Sequence, residues 1–129
     1  MIRKDYIQRY FDEMAKMLAK ILFLKQNNEP EKAEELLNEF ATDFLKINLQ
    51  DLLKTSENNL ISTLISKHDF DLIQFKLLEE LLFQKFLLRP TDISLRNSTL
   101  EVINYIIKND SDFSVERHQR LQELSKLSN

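Results

Sequence analysis

The 129-residue sequence contains no cysteine and no glycine, and only two prolines. Without cysteine the chain can form neither disulfides nor thiolate metal sites. Without glycine it cannot build the phosphate-cradling loops and dinucleotide-binding turns that need positive φ or a close backbone approach. These absences exclude disulfide scaffolds, zinc–thiolate proteins and the common nucleotide-binding enzymes.

Long apolar runs are also missing. No window of about 18 residues is free of charge, so we expect no membrane span. The N-terminal stretch "MIRKDYIQRYFDEM" is charged and amphipathic and does not resemble a signal peptide, which leads us to expect a cytoplasmic protein. Hydrophobic residues make up 43% and charged residues 30%, as in ordinary globular proteins. We predict one domain over residues 1–129, with frayed last residues.

Apolar residues recur at helical spacing, and asparagine stands at turn sites where glycine is usual, so the sequence predicts an all-α fold. The first helix is predicted over about Tyr6–Lys25. Its apolar side is Tyr6, Ile7, Tyr10, Phe11, Met14, Leu18, Ile21 and Leu22. In "FLKQNNEPEKAEELLNEF", Pro30 starts a second helix, with Asn28 as its cap and Glu31 as the reciprocal carboxylate. The apolar stripe of this second helix is Ala33, Leu36, Leu37, Phe40, Ala41 and Phe44.

Caps and prolines delimit the later helices. One or two short helices follow Leu45, and their candidate caps are Asn48 and Ser56. A further helix is predicted over "ISLRNSTLEVINYIIKND", residues 93–110. Its aligned face is Ile93, Leu100, Ile103 and Ile107. The last helix starts at the cap Ser114 and carries Leu121, Leu124 and Leu127.

The segment Phe70–Leu88 is apolar almost all the way round a helical wheel, and Pro90 ends it. Such a helix is either central to the fold or exposes an apolar surface to a partner or a second copy. The residues predicted for that surface are Phe75, Leu78, Leu81, Leu82 and Phe86.

Small and apolar residues of the first two helices resemble the packing pattern of a tetratricopeptide (TPR) repeat. They are Ala15, Leu18, Ala19 and Leu22 with Ala33, Leu37 and Phe40. The chain also resembles a family of short, uncharacterised bacterial proteins, through "MIRKDYIQR", "LAKIL" and "ERHQRLQEL". These resemblances imply a bacterial source. They also imply antiparallel helical hairpins stacked into a compact bundle or short right-handed superhelix of about five to seven helices.

Candidate chemical residues have simple structural interpretations. His68 lies beside Asp69 and Asp71, which we interpret as a helix start: Asp69 caps the helix and Asp71 favours its positive end. His118 falls on the apolar side of the last helix. Glu79 and Glu80 are adjacent and are expected to point in different directions. We predict no catalytic residue, no metal site and no cofactor.

The leading hypothesis is a noncatalytic helical module or scaffold that binds a protein partner or a second copy through an apolar groove with charged rims. No small-molecule substrate and no membrane are inferred. The alternative is a regulatory module that contacts nucleic acid through a basic ridge on the first helix, made by Arg9, Lys16 and Lys20 with Arg3 and Lys4.

Overall fold

The computed structural model describes residues 2–54 and 59–126, with side chains from residue 6 onward. These ranges contain seven α-helices and one π-helical turn and no strand, which confirms the predicted all-α fold. In chain order the elements are α1 (Ile2–Gln26), α2 (Pro30–Phe40), the π turn (Ala41–Leu45), α3 (Leu49–Leu53), α4 (Leu60–His68), α5 (Leu72–Leu88), α6 (Ile93–Asn109) and α7 (Val115–Ser125).

The break between α1 and α2 is a left-handed helix end. Asn28 has φ of 59°, and the amide of Glu29 donates to the carbonyl of Leu24 at 2.8 Å. Asparagine tolerates this conformation better than most residues, so it closes α1 in place of glycine. The prediction that Asn28 caps α2 is therefore wrong. Pro30 does begin α2, but its cap position is Glu29, and no side-chain cap bond forms there.

The later caps are partly as predicted. Asn48 accepts the amide of Asp51, and Ser114 accepts the amide of Arg117. Ser56 lies outside the described residues. Pro90 ends α5 as expected, since the helix stops at Leu88.

The start of α5 differs from the prediction. Asp71, not Asp69, is its cap, and Asp71 and Gln74 exchange reciprocal 2.9 Å bonds. Asp69 instead has φ of 52° and closes α4. Aspartate is suited to both positions, and the position of the reciprocal glutamine decides between them.

Helix α5 is the centre of the core. It packs against α6, α2, α1 and the π turn, and its two ends are fixed by the Asp71 cap and Pro90. The five residues predicted as a partner surface, Phe75, Leu78, Leu81, Leu82 and Phe86, are all buried within the chain. The surface alternative for α5 is wrong because neighbouring helices cover it on several sides.

Helix α1 lies at the edge of the fold and buries only a narrow stripe. Its buried residues are Tyr10, Met14, Met17 and Ile21. Phe11 and Leu22, which were predicted to belong to the apolar side, are exposed. Ala15 and Ala19 are exposed as well, so these small residues do not lie where two helices touch.

The predicted face of α6 is partly wrong. Ile103 is buried, but Ile93 is exposed, and Leu100 and Ile107 are only half-buried. The buried side of α6 is Leu95, Ser98, Thr99, Val102, Ile103 and Ile106. The Thr99 hydroxyl donates to the carbonyl of Leu95 at 2.7 Å, which lets a polar residue lie inside the core.

We expect Leu81→Asp to abolish cooperative thermal unfolding, because it places an unpaired carboxylate at a position with 0% exposure. Leu87→Asp is the matched control on the same helix, at a side chain that is 39% exposed, and should retain a cooperative transition. Circular dichroism melts compare the two. Equal melting of both variants would contradict the central position of α5.

Candidate functional site

Two charge clusters, the first buried and the second partly exposed, join α5 to its neighbours. In the first, Glu79 is only 2% exposed. Its carboxylate accepts hydrogen bonds from Arg117 Nε at 2.5 Å and from Arg120 Nη1 at 2.9 Å. Arg120 Nη2 also reaches Glu80 at 2.8 Å. The prediction that the two glutamates diverge is wrong, because one arginine of α7 binds both. The available signal was the i,i+3 arginine pair in "RHQR".

The aromatic ring of Phe83 completes this cluster, with the Arg120 guanidinium 4.6 Å from the ring centroid. Burial alone would lower the pKa of Arg120, but the hydrogen bonds and charge of Glu80, with the charge of Glu79, raise it. Arg120 therefore stays cationic, and the cluster holds matched, fixed charges rather than a free acid or base.

The second cluster lies on the α2 side of α5. Lys85 Nζ is 2.9 Å from Glu34 Oε2, and Arg89 Nε is 2.8 Å from the same oxygen. Lys85 also donates to Asn38 Oδ1 at 3.2 Å. Burial would raise the pKa of Glu34, but the hydrogen bonds from Arg89 and Lys85 outweigh it and lower that pKa. Both clusters are therefore structural ion pairs.

We expect Arg120→Ala to lower the free energy of unfolding by about 3–5 kcal/mol, because it removes one of the two arginine partners of the buried Glu79 carboxylate. Urea denaturation measures the change. Lys16→Ala is the control, since it breaks an exposed pair with Glu13 and should lower stability by less than about 1 kcal/mol. Equal losses in the two variants would show that the buried cluster does not hold α7 in place.

The His68 cluster lies in a cavity of about 330 Å³ that also contains two tyrosines. The Tyr10 hydroxyl donates to the Tyr6 hydroxyl, which lies one helical turn away on the same side of α1. Burial, reinforced by the bond to Tyr6, raises the pKa of Tyr10 to about 12, so it remains protonated at neutral pH and cannot act as a base. Asp71 caps α5, and the described residues contain no group of three metal-ligating side chains.

His118 is half-buried at the edge of the core. Its ring stacks on Phe113, with 4.4 Å between the centroids. Its Nδ1 lies 2.9 Å from the carbonyl of Ser114, so that nitrogen carries the donated proton. This ring orients the start of α7.

A groove of about 500 Å³ runs between α1 and the segment made by α2 and the π turn. It has an apolar floor and charged rims. The floor is formed by Met17, Leu36, Phe40 and Phe44, and the small residue Ala19 also lines the groove. One rim carries Glu13, Lys16 and Lys20, and the opposite rim carries Glu39 and Asp43.

Only part of the predicted basic ridge lies at this groove. Lys16 and Lys20 line it and Arg9 does not, although all three are exposed. The side chains of Arg3 and Lys4 lie outside the described residues. Lys16 pairs with Glu13 at 3.4 Å, and carboxylates form the opposite rim. The rims together therefore carry mixed charge, unlike a phosphate-binding ridge.

An acidic row on α2 was missed by sequence reasoning. Glu31, Glu35, Glu39 and Asp43 follow one another at four-residue steps, and all four are exposed. None of them forms an ion pair with a described residue, and neighbouring like charges at this spacing repel slightly. The signal is visible in the printed sequence as E-x-x-x-E-x-x-x-E-x-x-x-D.

Comparison with protein-family models, curated proteins and solved structures finds no match to this chain. The TPR and bacterial-family resemblances therefore stay predictions. Within the described helices, none is long and apolar enough to cross a membrane.

Proposed function

We propose that this chain is a noncatalytic helical module that binds a protein segment in the groove between α1 and α2. The main support for this proposal is the groove itself, where an open apolar floor lies between charged rims. This is the composition of a protein-binding site, with apolar contact supplying affinity and charged edges setting orientation. The scaffold role and the helical-repeat assignment belong to the same proposal.

The apolar surface around the groove supports this function. Phe23 is 62% exposed and lies one turn beyond Ala19, which lines the groove. Leu22, also exposed, adds a second large side chain on α1. Exposed apolar side chains that adjoin an apolar floor favour docking of another helix rather than of a polar ligand.

The charged groups elsewhere support a noncatalytic role. Glu79 and Lys85 are buried and Glu34 is half-buried, but their partners hold them in fixed ion pairs. A catalytic acid or base needs a side chain that can exchange a proton with a bound molecule. The nucleic-acid alternative is weakened because the row of carboxylates on α2 lies beside the predicted basic ridge.

We expect Ala19→Arg to remove groove-dependent protein capture, because the long cationic side chain fills the groove. Ala15→Arg is the matched control: it makes the same change one turn earlier, at an exposed residue that does not line the groove. Both changes should leave the free energy of unfolding within about 0.5 kcal/mol. The measurement is quantitative mass spectrometry of protein retained from nuclease-treated lysate by each tagged variant.

Retention of one stoichiometric protein by the wild type and by Ala15→Arg, with loss in Ala19→Arg, is the expected result. Binding that is equal in all three proteins, or that disappears with nuclease treatment, would contradict the proposed groove function.

A further inference from the structure

We infer that the protein segment bound in the groove is the same helical hairpin of a second copy of this chain, packed face to face about a two-fold axis that lies between the two faces, parallel to the helices. This inference rests on the proposed function, because it names the partner of the same site. The two copies would form an isologous pair in which each hairpin contributes the same surface.

One hairpin carries both halves of a complementary charge pattern. Among the described side chains of α1 the exposed cations are Arg9, Lys16, Lys20 and Lys25, and Asp12 is an exposed anion between the first two. On α2 and the π turn the exposed anions are Glu31, Glu35, Glu39 and Asp43. Lys16 has only a long 3.4 Å contact to Glu13. The α2 row forms no ion pair within 4 Å with a described residue, although the pKa of Lys32 is raised by its hydrogen bond to Glu29 and also by the nearby charge of Glu35. Each row can therefore accept the opposite row from outside.

The hairpin geometry brings those rows together. A three-residue connection, residues 27–29, makes α1 and α2 antiparallel neighbours. A two-fold axis that lies between the two copies, parallel to the helices, exchanges the positions of the two helices. It places α1 of the second copy over α2 of the first at the same level along the hairpin, and these two helices are antiparallel. The basic row of each copy then lies over the acidic row of the other copy, so the interface contains this contact twice.

The register also agrees. The groove places Lys16 and Lys20 level with residues 36–43. Because an axis parallel to the helices leaves each residue at its own level, α1 of the second copy keeps this level over α2 of the first. Lys20 of the second copy then lies near Glu35 and Glu39, and its Lys16 lies near Glu39 and Asp43.

Shape and area fit a modest interface. Ala19 permits close helix approach, and the exposed Phe23 can cover the half-buried Leu36 and Phe44 of the groove floor. The overlap is limited by α2, which has 11 residues, and the π turn, which has 5, and together they correspond to about 24 Å. Two helices side by side are about 20 Å wide, so the face offers roughly 500 Å² per copy, well below the roughly 800 Å² of a standard interface. Such a dimer should dissociate on dilution.

The test is sedimentation-equilibrium ultracentrifugation of the full chain over a concentration series at low and high salt. The wild type should form a dimer that weakens with added salt. The double variant Glu35→Lys/Glu39→Lys should raise the dimer dissociation constant at least about tenfold, because like charges then face each other. Adding Lys16→Glu/Lys20→Glu to the same chain should restore the dimer, since the two rows have exchanged signs.

Asp51→Lys/Glu123→Lys is the matched control, with the same change in net charge at two exposed residues away from the hairpin. It should leave the dissociation constant within about twofold of the wild type. Circular dichroism melts of all variants verify that each is folded.

A monomer at every concentration would overturn the second-copy inference. A dimer whose dissociation constant is the same in the wild type, the double variant and the four-residue variant would overturn it too. A four-residue exchange that fails to restore the dimer would overturn the proposed charge register. The groove function is tested separately: a monomeric chain whose protein capture is still lost in Ala19→Arg keeps the proposed function and takes a different partner.

Discussion

Helix α5 is buried on several sides although it carries Glu79 and Lys85, and this combination constrains the helices around it. An unpaired charge at either position would cost several kcal/mol, so α7 and α2 must each bring the opposite charge to α5. On α7 the only buried side chain of the described residues is Leu124. Its position on the fold therefore depends on Arg117 and Arg120 more than on apolar contact.

The same arrangement determines which surface remains free. Apolar residues of α5 other than Leu87 are covered by neighbouring helices, and the buried Glu79 and Lys85 are paired, so the core offers little to a partner. The α1–α2 hairpin lies at the edge, where α1 buries one narrow stripe and leaves Leu22 and Phe23 exposed. The groove beside them combines an apolar floor with unpaired carboxylates. Association is for this reason assigned to the hairpin rather than to α5.

Much of the fold could be predicted from the sequence because helical periodicity and caps are local signals. Pro30, Pro90, Asn48 and Ser114 delimit helices as expected. The errors concern choices that local patterns leave open. Asn28 and Asp69 both suit a helix start and a left-handed helix end. The width of an apolar stripe on α1 does not reveal that few helices cover it. The Glu79–Arg117 contact joins residues 38 positions apart, so only the folded chain brings them together.

The most direct measurement of the hairpin interface uses the absence of native cysteine. A nitroxide attached at Gln8→Cys is unique in the chain, and Gln8 is exposed on α1. Spin-labelled protein is mixed with isotope-labelled protein that carries no nitroxide, and NMR records which amides of the second copy broaden. Packing about the groove predicts broadening around the π turn and residues 46–48 of that copy, because Gln8 lies level with this end of the hairpin. Broadening confined to another face, or none at concentrations where the chain is dimeric, would contradict it.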